Sequence, residues 1–314
     1  MFGDAAPLVL VLILDGNPST NESSHLALTS FWNKLLLAVS KVLANSAGRP
    51  RKRTFPFGAM VLDVVGLTKR YSSIPAVNQV SFTVEPGKVL GYLGPNGSGK
   101  STTVKMLTGL LLPSQGRILY RGDDIQKQLI EYKSILGYVP EDAQLYNYLT
   151  GREYLQLVGR LRALPPKVLE RRIDDFLQLF SLYKNRHSAL SSYSKGMRQK
   201  ILISAALLHN PEILILDEPE SGLDVTSALV FRHLIRALAT KGKTILYSSH
   251  VLEVVEKVCS QIVILHKGRM MANDSVENLR QLMQLPSLSE IFTQLVISED
   301  TEKLAKEIVE AMEQ

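Results

Sequence analysis

The run Gly94-Pro-Asn-Gly-Ser-Gly-Lys-Ser101 constrains this chain more than any other feature. It satisfies the full G-x-x-x-x-G-K-[ST] phosphate-binding pattern, and its flanks supply the context that pattern requires. Before it, Lys88–Leu93 is a short apolar stretch of buried-strand character, and after it Thr102–Thr108 reads as the opening of a helix. Gly94, Gly97 and Gly99 let the backbone fold back so that the N–H groups of Pro95–Thr102, through Asn96 and Ser98 (Pro95 itself having none), aim at one point. The helix N-terminus adds its partial positive charge there. Lys100 would reach the β- and γ-phosphates, and Ser101 would offer its hydroxyl to Mg²⁺. The run implies a nucleoside triphosphate.

A second segment supplies acid groups. Pro211-Glu-Ile-Leu-Ile-Leu-Asp217-Glu218 carries four consecutive apolar residues ending in two carboxylates. Such a run suits a strand buried on both faces, expected next to the phosphate-loop strand. Its carboxylates then emerge at the C-terminal end of the strand, where ligands bind in open α/β sheets. Asp217 would hold Mg²⁺ and Glu218 would act as general base toward water. Between the two motifs, Ser194 is placed to cap the helical run Lys200–Leu208, and Gly196 opens its first turn. That arrangement is either a second anion site at a helix N-terminus or an ordinary capped helix.

The 314 residues suffice for one large or two modest domains, and Cys259 as the only cysteine excludes an internal disulfide or a cysteine-built metal site. A reducing compartment is expected. The net charge of +6 is too weak to argue for nucleic-acid binding. Half of it falls in residues 1–59, with six Lys/Arg against three Asp/Glu. No run of eighteen apolar residues occurs, so no membrane-spanning helix is expected.

Residues 1–59 look foreign to the rest. Leu28, Phe31, Trp32, Leu35, Val39, Val42 and Leu43 follow helical spacing, and Ser46–Phe57 is a basic, Pro- and Gly-containing linker. The stretch reads as an interfacial helix, as a helix packed on the domain, or as an over-extended start. The third is our expectation, because Met60 immediately precedes a natural first strand, Val61–Tyr71.

Further residues give the pattern a family. The chain from Met60 onward resembles the nucleotide-binding subunit of ATP-binding cassette (ABC) transporters. Ser194-Lys-Gly196-Met197 is similar to the family signature Leu-Ser-Gly-Gly-Gln, with Tyr193, Lys195 and Met197 departing and the serine and second glycine kept. Ser221-Gly-Leu-Asp224 resembles the segment that crosses to the partner subunit. Tyr247-Ser-Ser-His250 resembles the histidine switch that senses the γ-phosphate. Tyr71 stands where the family places an aromatic on adenine, though it also suits simple packing. Gly137-Tyr-Val-Pro-Glu141 resembles the glutamine loop with Glu141 in place of glutamine. A carboxylate there can ligate Mg²⁺ but cannot donate a hydrogen bond, so altered metal dependence is expected.

The resemblance implies an α/β fold, a P-loop NTPase core of mixed sheet flanked by helices, with an antiparallel β subdomain and a helical signature subdomain. Val80–Val84 alternates as a half-exposed antiparallel strand should. Residues 88–93, 134–139, 212–217, 243–249 and 261–268 are core-strand candidates. The expected organisation is an extension over 1–59, an ATPase domain over 60–275 with its helical subdomain near 145–208, and a helical tail over 276–314. In that tail Leu304, Ile308, Val309 and Met312 share a face.

By resemblance, ATP lies between the phosphate loop of one chain and the Ser194 turn of another. The expected partners are therefore a second ATP-binding subunit, as a homodimer, and a separate membrane permease, with no nucleic acid. The location implied is the cytoplasmic face of the cell membrane. The tail Leu285–Leu295 and the motif variants resemble the type-2 exporter group. The rival reading is a non-transport ABC ATPase acting on ribosomes or nucleic acid. Such relatives carry tandem cassettes or long coiled-coil insertions, and neither occurs in this sequence.

Overall fold

The computed structural model describes residues 61–142, 145–296 and 310–312. The stretch Leu28–Leu43, the start at Met60 and the tail positions Leu304, Ile308 and Val309 lie outside the described residues.

Two sheets organise the fold. Strands β1 (Leu62–Arg70), β2 (Pro75–Val84), β4 (Gln115–Tyr120) and β5 (Asp123–Asp124) form an antiparallel sheet in the order β2-β1-β4-β5. Strands β3 (Val89–Leu93), β6 (Leu136–Val139), β7 (Ile213–Asp217), β8 (Thr244–Ser248), β9 (Gln261–His266) and β10 (Arg269–Asp274) form a second sheet in the order β10-β9-β3-β8-β7-β6. Its four pairings from β9 to β6 are parallel, and β10 returns antiparallel to β9.

The helices are α1 (Lys100–Leu107), α2 (Leu129–Ile135), α3 (Gly151–Leu161), α4 (Pro166–Leu179), α5 (Lys195–Leu207), α6 (Val225–Thr240), α7 (Leu252–Val258), α8 (Val276–Met283) and α9 (Leu288–Val296). Every residue of β3, β7 and β8 is buried, which is why these strands read as unbroken apolar runs. Alternate side chains serve opposite layers. Tyr92, Ile213, Ile215, Leu246 and Val263 join the core shared with the antiparallel sheet and α1. Leu214, Leu216, Ile245, Tyr247 and Ile262 join the core shared with α5 to α9. The last two helices belong to that core, with Leu288 and Ile291 fully buried.

Local signals set the helical subdomain. Thr150 and Glu153 form a reciprocal capping box that starts α3. Pro165 and Pro166 separate α3 from α4, with Pro166 at the first helical position, where its missing N–H costs nothing. Arg152 then joins the two helices through Glu170 at 2.7 Å and Asp174 at 2.6 Å.

One expectation about strand order is corrected. β7 is not next to the phosphate-loop strand β3, because β8 lies between them and pairs with both. The residues after β8 are thereby carried into the gap between phosphate loop and carboxylates. The 134–139 strand is also shorter than expected, since residues 134–135 close α2.

At the end of α5, His209 fastens the helical subdomain to the sheet, its Nε2 lying 3.0 Å from the Leu136 carbonyl. Burial, reinforced by the charges of Arg162, Lys243 and Arg172, pushes its pKa down to about 3. The unfolded chain, with histidine near 6.5, binds the extra proton first. Stability must therefore fall as pH drops from about 6.5 toward 3, by up to about 1.4 kcal/mol per unit from this residue. Urea denaturation at a series of pH values should show a shallower acid slope for His209→Gln than for the parent. Equal slopes would refute the assignment.

Candidate nucleotide site

The phosphate loop joins β3 to α1. Gly99, the residue before the helix, has φ of +104°, and a Cβ there would sit 2.5 Å from the Ala76 carbonyl oxygen. Glycine is required at that point, and its lack of a side chain lets the Ala76 backbone of β2 lie against the loop. No side chain caps α1, so its first N–H groups are left to a ligand. The Lys100 ammonium reaches back across the loop and donates to the carbonyls of Gly94 at 2.5 Å and Pro95 at 3.2 Å. Ser101 is exposed beside it, and Tyr71 presents an exposed ring with Lys69 Nζ 5.6 Å from its centroid.

Carboxylates face this ammonium from the ends of β6 and β7. Burial lowers the Lys100 pKa, opposed by the charges of Glu218, Asp217 and Glu141. The same neighbourhood acts on Asp217, whose pKa burial raises to about 6, with Glu141 and Glu218 adding to the rise and Lys100 opposing it. Glu141, exposed just beyond β6, thus shares the field of Asp217 and Lys100.

Glu218 takes a left-handed backbone conformation, φ +46°, as the chain leaves β7. Its carboxylate has a partner on each oxygen. His250 Nδ1 lies 2.8 Å from Oε1, and the Ser249 hydroxyl donates to Oε2 at 3.2 Å. The carboxylate is mostly enclosed, while the His250 ring is 74% exposed.

The oxygen donors suit Mg²⁺. Ser101, Asp217 and Glu141 offer a hydroxyl and two carboxylates, which are hard ligands. Among the described residues no group of three or more His, Cys, Asp or Glu could hold a metal ion unaided.

The Ser194 turn forms a second cluster. Ser194 caps α5 by accepting from the Met197 N–H at 3.2 Å. A Cβ on Gly196 would lie 2.5 Å from the Gly222 carbonyl oxygen, so this glycine lets α5 meet the Ser221–Asp224 segment. Asp224 caps α6 through Ser227, with bonds of 2.8 and 2.7 Å, and lies 3.5 Å from Lys200 Nζ. Its Ser227 hydrogen bonds hold its pKa down at about 2. The departures from the signature have local causes: Tyr193 is buried, its hydroxyl donating to the Asn185 carbonyl at 2.7 Å, and Lys195 packs over Gly222.

The structure therefore gathers Gly94–Thr102, Glu141, Asp217, Glu218 and His250 around one edge of the sheet, and Ser194, Gly196 and Asp224 around the α5 N-terminus. Sequence reasoning missed Ser249, although it lies inside the Ser-Ser-His run, and Gln199, whose amide donates to the Pro219 carbonyl at 2.8 Å and ties the two clusters.

The ABC transporter family profile matches residues 77–221. The ABC transporter ATP-binding protein NatA of Bacillus subtilis (strain 168) is 40% identical over 220 residues, covering 70% of this chain and 89% of that protein. The bacitracin transport ATP-binding protein BcrA of Enterococcus faecalis is 34% identical, covering 70% and 71%. The Nod factor export ATP-binding protein I of Ralstonia nicotianae (strain ATCC BAA-1114 / GMI1000) is 33% identical, covering 70% and 68%. A solved ATP-binding subunit of an ABC transporter superposes with a TM-score of 0.71 at 34% identity, over 75% of this chain and 99% of that one.

The Gly196 approach is open to direct test. Gly196→Ala should lower stability by about 1–3 kcal/mol, because backbone must yield on both sides of the contact. Thermal or urea denaturation would measure it, and an unchanged midpoint would show that the contact relaxes freely.

Proposed function

Because the chain belongs to the ATP-binding proteins of the ABC transporter family, we propose that it hydrolyses ATP to drive a separate membrane permease, working as a pair of identical subunits. The observation that carries the catalytic reading is the Glu218–His250–Ser249 arrangement at the sheet edge facing Lys100.

In this reading Lys100 and the first-turn N–H groups of α1 bind the β- and γ-phosphates, and Tyr71 stacks on adenine. Ser101 and Asp217, with Glu141, would hold Mg²⁺, which supplies charge neutralisation on the phosphates. Glu218 orients a water in line with the γ-phosphorus and takes its proton on a carboxylate oxygen. His250, held on Glu218 and largely exposed, is positioned to exchange that carboxylate for a γ-phosphate oxygen. Ser194 and Gly196 of the second subunit close the site, so ATP joins the two chains and loss of the γ-phosphate releases them.

No helix among the described residues is long and apolar enough to cross a membrane. We place the protein at the cytoplasmic face of the cell membrane, held there by its permease. Export is the direction we favour, supported by the tail and motif variants and by a relative named for Nod factor export.

Glu218→Gln should bind ATP, lose at least about a hundredfold in turnover and accumulate as a dimer by size-exclusion chromatography. Normal hydrolysis by this variant would remove Glu218 from the role of base. Turnover of the parent should rise more than linearly with protein concentration, whereas a strictly linear dependence would overturn the paired site. Glu141→Gln should shift the Mg²⁺ concentration giving half-maximal turnover, and an unmoved titration curve would deny Glu141 a part in holding the ion.

A further inference from the structure

Just past the proposed base lies a third carboxylate that the mechanism leaves unused. Glu220 receives four hydrogen bonds from two other elements. The Tyr247 hydroxyl on β8 donates to Oε1 at 2.7 Å. Arg232 on α6 donates from Nε to both oxygens at 3.0 Å and from Nη2 to Oε2 at 2.7 Å. Glu220 and Arg232 are largely enclosed, with side chains 16% and 23% exposed, and Tyr247 is fully buried. A fork of this kind fixes direction as well as distance.

The position of this cluster gives it a task. The β7–β8 ladder ends at the pair Asp217 and Ser248, and there the strands part. Glu218 follows on one side, while Ser249 and His250 follow on the other. Glu218 holds a left-handed conformation that a residue with a Cβ keeps only where its surroundings enforce it. Backbone bonds contribute, from Glu218 N–H to the Ser248 carbonyl at 3.0 Å and from Ser221 N–H to the Glu218 carbonyl at 3.1 Å. Glu220 adds a cross-strand tie two residues past Glu218. Through Tyr247 it grips the strand that delivers Ser249 and His250, and through Arg232 it grips α6.

We propose that Glu220, held by Tyr247 and Arg232, is a positioning residue for the hydrolytic step: it sets the backbone of Glu218 and fixes the spacing between that carboxylate and its partners Ser249 and His250. This rests on the reading of Glu218 as the base. The clamp touches neither the phosphate loop nor Tyr71, so it acts on turnover and not on nucleotide affinity.

Steady-state ATPase kinetics of the full chain test this with Tyr247→Phe, Glu220→Gln and Arg232→Lys beside Glu218→Gln. Tyr247→Phe keeps the buried ring and removes one donor, and its kcat should fall about fivefold to fiftyfold. The KM for ATP should stay within about twofold, because uniform binding is untouched. Glu220→Gln should lose at least as much, and Arg232→Lys, which keeps the charge but not the fork, should fall between parent and Glu220→Gln. Combined with Glu218→Gln, Tyr247→Phe should still form the ATP-dependent dimer. If Glu220→Gln fails to fold, Tyr247→Phe decides alone. An unchanged kcat in Tyr247→Phe, or a KM rising in step with the fall in kcat, overturns the clamp. Should Glu218→Gln hydrolyse normally, the reading of the base fails whatever the clamp variants do.

Discussion

The site is governed by an imbalance of charge at the edge of the parallel sheet. Asp217, Glu218 and Glu141 gather where the buried strands end, and Lys100 is the cation that answers them. Burial makes the ionised forms of Asp217 and Lys100 expensive, while Glu218 is held by His250 and Ser249 and Glu141 lies exposed. The Asp217 carboxyl consequently sits well above its ordinary range. A polyphosphate brought in alone would add to the excess. In the proposed mechanism a divalent cation accompanying the nucleotide would offset that excess.

Much of this was readable from sequence, for physical reasons that differ by residue. β3, β7 and β8 are buried on both faces, so their positions appeared as plain apolar runs ending in Gly94, Asp217 and Ser248. The phosphate loop was legible because its glycines answer to backbone geometry, as the approach of Gly99 to Ala76 shows. β4, with its first half exposed, and β10, with Met270 and Met271 partly exposed on the outer strand, carry no such run and were missed. Strand order was misjudged because adjacency is a property of the crossover connections and not of any local pattern. The Glu220 cluster was invisible because Arg232 lies twelve residues away and Tyr247 twenty-seven, and no local pattern links the three.

The variant signature illustrates how a motif divides its labour. Gly196 is required by its neighbour Gly222 within the same chain, independently of any ligand. Tyr193 fills the subdomain core and bonds to Asn185, while the Gly151 backbone fits against its hydroxyl. Lys195 covers Gly222 on the outside. These substitutions leave Ser194 free to cap its helix, so the departures are absorbed by packing and the capping serine is not disturbed.

The interposition of β8 between β3 and β7 has an outcome for inheritance of change. Its residues alternate between two unlike jobs: Tyr247 turns toward the helices while Leu246 turns toward the antiparallel sheet. Inserting or deleting a single amino acid in this strand would exchange those faces at once, stranding a phenol against the wrong layer. The length of the strand is therefore fixed from both sides, by the two layers it serves and by the Ser249–His250 segment it delivers.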